Sequence, residues 1–242
     1  MLRFPGLIVF CFLVSACSQM DSVSQPENDT QQLVETSRKL YVPELSGEVV
    51  IFDNVAFGLG LPLRNYLSNE QAVSGKSVLD LGAGSGVLSL IALKYGASKV
   101  VATDINSNAV ANAKYNATLF GFADRMDVRL VSMDDPGAYS VIGVDEKFDV
   151  IVSNPPQHPE EPKTIYEYSY ADPKLAFLRS ILEGLKDHLT PGGKGVLALY
   201  DQGLNLAKHM ASDLGVEVRV LLQTSNRNGV YYLVEIQPVE NK

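Results

Sequence analysis

The chain has 242 residues, 46% hydrophobic and 20% charged, a balance that suits one core-forming domain and excludes a disordered polyelectrolyte or a multi-span membrane protein. Lys and Arg number 20 against 28 Asp and Glu, a net charge of −8, which disfavours holding nucleic acid by broad phosphate neutralisation. The 2 Cys both lie in the first 17 residues and there are 3 His, so neither a disulfide scaffold nor a Cys- or His-built metal site is expected in the folded body.

At the amino end, Arg3 precedes an apolar stretch from Phe4 to Ala16, short for a bilayer span but suited to a signal-peptide core. It runs into Leu13-Val-Ser-Ala-Cys17, which resembles a bacterial lipobox, with Val14 where Leu is commonest. The expected organisation is a lipoprotein-type signal over 1–17 with Cys17 as lipid acceptor, a polar tether over 18–32, and a folded body over 33–242 that opens with an extension at 33–72. Membrane attachment through Cys17 follows from that reading. An uncleaved anchor, or a cytoplasmic protein with a mis-assigned start codon, are the alternatives.

Along the body, Gln31 to Leu40 reads as weakly helical, Glu48–Phe52 as a strand after the turn Leu45-Ser-Gly47, and Leu61 to Gln71 as a helix. Strands at Ser77–Leu81, Lys99–Thr103, Met126–Val131, Phe148–Ser153 and Gly195–Tyr200 then alternate with helices at Val87–Tyr95, Ser107–Phe120, Asp172–His188 and Leu204–Leu214. Such alternation predicts right-handed βαβ units and a parallel sheet covered on both faces. Leu189-Thr-Pro-Gly-Gly193 reads as a helix stop and turn, and Val216–Leu222 with Tyr231–Ile236 as an antiparallel hairpin joined by Thr224–Gly229.

Val78-Leu-Asp-Leu-Gly82-Ala-Gly84-Ser-Gly86 follows a strand and opens a helix, where glycines let the backbone turn and approach a ligand, and where helix-start N–H groups would receive an anion. The sixth position of a dinucleotide fingerprint is Val87 instead of Gly or Ala, and Asp80 stands beside the loop. A carboxylate there repels pyrophosphate and can hold an ammonium group, which points away from NAD and toward a zwitterionic, cationic cofactor.

The stretch Val78 to Gly86 resembles the first motif of the class I S-adenosylmethionine-dependent methyltransferases, and the resemblance runs over roughly residues 57–236. It implies a Rossmann-like α/β fold: a seven-stranded sheet, mostly parallel, with a C-terminal antiparallel hairpin. It also implies S-adenosyl-L-methionine on Asp80, Gly82, Ala83, Gly84 and Gly86. Asp104, 22 positions after Gly82, would accept the ribose hydroxyls, with Ile105 and Asn106 beside it. In Ser132-Met-Asp-Asp135, Asp134 would accept the adenine amine while Met133 or Ile105 flanks the ring. Asn54-Val-Ala-Phe57-Gly58 resembles the segment that closes over the methionine end in the small-domain methyltransferases, so Phe57 and Gly58 are candidate cofactor contacts.

Asn154-Pro155-Pro156-Gln157 follows the fourth strand of the alternating series, and two prolines hold its backbone extended, so that the Asn154 amide and nearby carbonyls can grip an N–H₂ group and aim its lone pair at a methyl donor. The tetrapeptide resembles that of methyltransferases acting on glutamine side chains of release factors or on exocyclic amines of nucleobases, whose last member is usually aromatic. Gln157 departs from this, and Tyr166, Tyr168 and Tyr170 are nearby rings that could substitute. The expected activity is therefore N-methylation of an amide or amine on a protein or small molecule, with Asn154, Pro155 and Pro156 as the catalytic segment and nucleic acid a less favoured acceptor. A methyl transfer to oxygen or carbon, or a membrane-tethered binding module without catalysis, are the alternatives.

Overall fold

The computed structural model describes residues 37–57, 60–226 and 229–239. The expected signal, Cys17 and the tether lie outside the described residues. The first element is a hairpin of β1 (Arg38–Val42) and β2 (Gly47–Ile51), paired from Arg38↔Ile51 to Val42↔Gly47. From residue 38 onward this corrects the weak helix expected over 31–40. Leu40 and Val42 are the more buried positions, alternating with exposed Lys39 and Tyr41, and pairing with the β-branched run of β2 outweighs a marginal helical propensity.

The helix expected from Leu61 to Gln71 is two pieces, α1 (Leu61–Leu67) and α2 (Glu70–Val73). Ser68 turns its hydroxyl back onto the Arg64 carbonyl at 2.8 Å, and Asn69 starts the second piece by accepting from the Gln71 amide at 3.0 Å. Local side-chain bonds of this kind are what break the run.

Beyond lies the alternating series: β3 (Ser77–Leu81), α3 (Val87–Lys94), β4 (Lys99–Asp104), α4 (Ser107–Leu119), β5 (Met126–Leu130), β6 (Phe148–Ser153), α5 (Ala176–Leu185), β7 (Leu189–Tyr200), α6 (Asp201–Leu214), β8 (Val216–Asn226) and β9 (Gly229–Pro238). The sheet order is β5-β4-β3-β6-β7-β9-β8, with β9 antiparallel to both of its neighbours and the other adjacent pairs parallel. This is the expected Rossmann-like methyltransferase architecture. Strands step outward in one direction from β3 to β5 and in the other from β6, so the order reverses between β3 and β6. Ligands of such sheets bind at the carboxyl ends around that reversal.

Alternate residues of the central strands feed two apolar cores, one on each face. Val78, Val150, Val152, Val196 and Ala198 pack with the hairpin, α1, α3 and α4, whereas Leu79, Leu81, Ile151, Leu197 and Leu199 pack with α5 and α6. Burial on both faces explains why these strands read as continuous apolar runs. Truncating a side chain as enclosed as Ile151 or Leu79 costs about 2–5 kcal/mol.

The Leu189–Gly193 segment is the start of β7, which corrects the expected turn. Leu189 pairs with Phe148, Thr190 donates its hydroxyl to Asp149 Oδ1 at 2.8 Å, and the register then shifts, with Gly192 at φ 77. The Pro-Gly-Gly signature marks a bulge inside a strand. The C-terminal hairpin is likewise longer than expected, because its ladder continues through Ser225↔Val230 to Asn226↔Gly229.

Candidate active site

Segments that follow β3, β4 and β6 lie at the carboxyl edge around the reversal, together with the strap that precedes α1. The first is the glycine loop. Gly82, Gly84 and Gly86 adopt φ of 76°, 56° and 81°, the left-handed region that residues with a Cβ avoid. At Gly84 a Cβ would stand 2.7 Å from the Ala56 carbonyl oxygen, so glycine is required by space as well as by conformation.

The loop's own amides are all used. Gly82 and Ala83 donate to the Thr103 carbonyl at 2.9 Å, Gly84 to Asp104 Oδ2 at 2.8 Å, Ser85 to the Ala56 carbonyl at 3.2 Å, and Gly86 to the Ala83 carbonyl at 2.9 Å. The amides of residues 82–86 are thus spent inside the chain, whereas the helix-start amides expected to receive an anion belong to the residues that follow, from Val87 onward. The loop is stitched to β4 and to residues 54–57; the space a Cβ would take is filled by Ala56 at Gly84 and by Ala113 and Met126 at Gly86, and it is left open at Gly82, where the nearest atom would be Phe177 Cε1 at 3.9 Å.

Asp80 lies wholly inside, 0% exposed, just before the loop. Its Oδ2 accepts from the Ser89 hydroxyl of α3 at 2.6 Å, while Oδ1 has no partner. Burial raises its pKa to about 6, a rise that the Ser89 bond reduces and the charge of Asp104 increases. Asp104, at the end of β4, takes the Gly84 amide on Oδ2 and the Asn106 amide on Oδ1 at 2.9 Å. Burial raises its pKa too, against those amide bonds. Each oxygen keeps a lone pair for a further donor.

Asn106 caps α4 by accepting from Asn108 N at 3.0 Å and ties down the preceding strap by donating to the Asn54 carbonyl at 2.7 Å. The same helix reaches further back with two fully buried amides. Asn112 accepts from Phe52 N at 3.0 Å and donates to the Val50 carbonyl at 2.9 Å; Asn116 accepts from Val50 N at 3.0 Å and donates to the carbonyls of Val50 and Ser85 at 2.8 and 3.0 Å. Residues 50–57 are thus laid along α4 and delivered over the glycine loop. Phe57 is half-buried, with the Arg64 guanidinium 5.9 Å from its ring centre, and Arg64 is paired with Glu44. Gly58 lies outside the described residues. Beyond β5, Met133 is half-exposed and Asp134 exposed in a turn where Asp134 N donates to Ser132 Oγ at 3.2 Å; Ile105 is part-buried beside Asp104.

Asn154 emerges from β6 beside Pro155 and Pro156. Its Oδ1 accepts from the Tyr231 hydroxyl at 3.0 Å, a contact across 77 positions that sequence reading did not find. Tyr231 stands on β9 opposite Tyr200 of β7, their rings edge to face with centroids 5.2 Å apart. Gln157 is buried and turned toward the end of β7. The loop that follows is closed at its base by Gln157 N and His158 N donating to the Tyr170 carbonyl at 3.0 and 2.8 Å, and by Asp172 N donating to the His158 carbonyl at 2.7 Å. Tyr166 and Tyr170 meet edge to face on it at 6.2 Å, both partly exposed. Among the described residues no group of acidic, Cys and His side chains is placed to hold a metal ion, and no helix is long and apolar enough to cross a membrane.

The sheet order is that of the Rossmann-like fold shared with solved methyltransferases, one of which was solved with AdoMet. Within that fold, residues 62–155 match the family described as ribosomal protein L11 methyltransferase (PrmA). The ribosomal protein L11 methyltransferase of Vibrio parahaemolyticus serotype O3:K6 is 36% identical over 118 residues, 47% of this chain and 37% of that protein. That of Lactobacillus johnsonii is 39% identical over 120 residues, 47% of this chain and 36% of that protein. The match spans little more than a third of those relatives' length. Among solved structures, the ribosomal protein L11 methylase of Lactobacillus delbrueckii subsp. bulgaricus shares the fold with a TM-score of 0.58 at 23% identity, over 78% of this chain and 84% of that one. The T. thermophilus 16S rRNA N2 G1207 methyltransferase, solved with AdoMet and guanosine, does so with a TM-score of 0.57 at 21% identity, over 84% and 50%.

Proposed function

We propose that this chain is an S-adenosylmethionine-dependent methyltransferase that modifies a nitrogen of a protein acceptor. The observation that carries the reading is the meeting of the glycine loop, Asp104 and Asn154 at the carboxyl ends of β3, β4 and β6. The residues present fit the cofactor: Asp80 has a buried oxygen without a partner, Gly82 leaves open the space a side chain would fill, and Asp104 keeps lone pairs beside the loop. Asp80, Gly82, Ala83, Gly84 and Gly86 would hold the methionine end together with Phe57 and Gly58. Asp104 would take the ribose hydroxyls, Ile105 and Met133 the adenine faces, and Asp134 its amine. When bound, the cofactor supplies a methyl group made electrophilic by its sulfonium sulfur. Asn154, held by Tyr231 on one side and by two prolines on the other, orients the acceptor nitrogen, and catalysis rests on that positioning.

The names of the relatives and the net charge of −8 both favour a protein acceptor over nucleic acid. Export and lipid attachment at Cys17 belong to the same proposal on the strength of the amino-terminal sequence alone, and labelling cells with a radioactive fatty acid tests them, since a Cys17→Ser chain should take up none.

Calorimetric titration of the full chain with S-adenosylmethionine and its demethylated product tests the cofactor, followed by transfer of labelled methyl onto a panel of an L11-type ribosomal protein, a glutamine-containing peptide and free nucleosides. Micromolar binding of both ligands and labelling of a protein or peptide are expected. Asp104→Ala should weaken binding about 10- to 100-fold, the worth of one or two hydrogen bonds to a charged group. Absence of binding would overturn the enzyme reading in favour of a binding module.

A further inference from the structure

The last member of Asn-Pro-Pro-Gln is where this chain departs from the motif it resembles, and the surroundings of that residue change how the motif's oxygens are used. Gln157 points its carboxamide inward: Nε2 donates to the Pro155 carbonyl at 3.3 Å and to the Ala198 carbonyl at 3.2 Å, while Oε1 accepts from Tyr200 N at 2.9 Å. The Pro155 carbonyl, one of the oxygens suited to gripping an acceptor N–H₂, therefore already gives one of its two lone pairs to the chain itself. Asn154 Oδ1 is engaged as well, by the Tyr231 hydroxyl at 3.0 Å. An amide oxygen carries no proton, so the phenol donates its single proton to Asn154 and its own lone pairs remain for another donor.

Tyr231 is held firmly in that attitude. It is 7% exposed, braced by the Tyr200 ring, and paired through its backbone with Tyr200 at the carboxyl end of β7. A Cβ placed on Gly60 would lie 3.4 Å from the Tyr231 hydroxyl and 3.6 Å from Asn154 Nδ2, so the two polar groups face a residue without a side chain at the start of α1. Burial raises the phenol's pKa, which keeps it neutral through the physiological range and unfit to take a proton.

We infer that Tyr231 is the acceptor-positioning residue of this site, fixing the Asn154 amide and offering its hydroxyl oxygen to the incoming N–H beside the Asn154 oxygen. The inference rests on the methyltransferase reading above. An acceptor nitrogen then meets two oxygens 3.0 Å apart, Asn154 Oδ1 with one lone pair free and Tyr231 Oη. Its lone pair forms the new N–C bond as the C–S bond breaks with the electron pair staying on sulfur, and its surplus proton leaves to solvent.

Tyr231→Phe keeps the ring and its packing and removes only the hydroxyl. Two measurements on the full chain test it. With the acceptor labelled in the panel above, kcat should fall about 10- to 100-fold while the Kd for S-adenosylmethionine stays within about twofold, the pattern of lost orientation. In ¹⁵N-resolved NMR spectra, the Asn154 side-chain amide pair, assigned by its loss in Asn154→Asp, should move on Tyr231→Phe. Wild-type kcat in the variant, or an unmoved Asn154 signal, would overturn the inference. Failure of the unmodified chain to bind S-adenosylmethionine would instead overturn the underlying function, and the NMR measurement would still decide whether Tyr231 holds Asn154.

Discussion

Replacing Asp80 by Asn isolates the cost of burying a charge that waits for a ligand. In the folded protein its pKa is raised from 3.8 to about 6, chiefly by burial, whereas in the unfolded chain it returns to the ordinary value. Between those two values the folded state binds the extra proton, so stability contributed by the protonated form is lost as pH rises from about 4 to 6 and stays lost above. A rise of that size corresponds to about 3 kcal/mol of destabilisation at neutral pH. Asp80→Asn abolishes it, and for a chain of this length each kcal/mol moves the melting temperature by roughly 2–4 °C. The ligand-free variant should therefore melt several degrees higher than the parent at pH 7.5, and by only about a third of that margin at pH 4.5. The same substitution should weaken S-adenosylmethionine binding at pH 7.5, and the parent's affinity should decline as pH falls below about 6, where the carboxylate is lost. Thermal melts across pH 4.5–8 with and without cofactor give both quantities. A ligand-free Asn variant less stable than the parent at pH 7.5, or a difference that does not change with pH, would refute the argument.

Gly84→Ala forces a Cβ against the Ala56 carbonyl in a left-handed backbone, and should cost about 2 kcal/mol in urea unfolding while loosening residues 54–57 enough to weaken cofactor binding. Asn116→Ala removes the partner of Val50 N and the side-chain donor to the Ser85 carbonyl at a buried site, while the Val50 carbonyl keeps Asn112; a stability loss of about 2 kcal/mol is expected, and a loss below about 0.5 kcal/mol would show that the amide is dispensable. Asn154→Ala should leave the cofactor Kd within about twofold and lower turnover roughly 100-fold, as measured by methyl labelling of the acceptor.

The alternating strands and helices were legible because strands covered on both faces must be apolar throughout and because each glycine of the loop answers a local need for space or for positive φ. The placement of Asp80, Asp104 and Asn154 along the carboxyl edge was legible for the same reason: each stands a fixed short distance from a strand end. Tyr231 was not, since a tyrosine in a β-strand satisfies ordinary strand propensity and its partner lies 77 positions away. Gln157 looked like the mere absence of a ring, and only the folded chain shows its amide bridging the Pro155 carbonyl and the end of β7. That the loop's amides are spent on Thr103, Asp104 and Ala56 was not legible, because those acceptors come from other segments. Asn112 and Asn116 carried no signal, as buried amides inside a helix gain their meaning from the strand they face.

Those two asparagines have a bearing on solubility as well as on the site. A two-stranded hairpin exposes a row of main-chain donors and acceptors along each outer side, the pattern on which a foreign strand can add. On β2 and the residue after it, that row is filled by side chains: Val50 N and O and Phe52 N are all bonded to Asn112 or Asn116. A helix thereby stands in for the missing neighbouring strand, and the hairpin is closed to edge-to-edge aggregation along the side that faces α4.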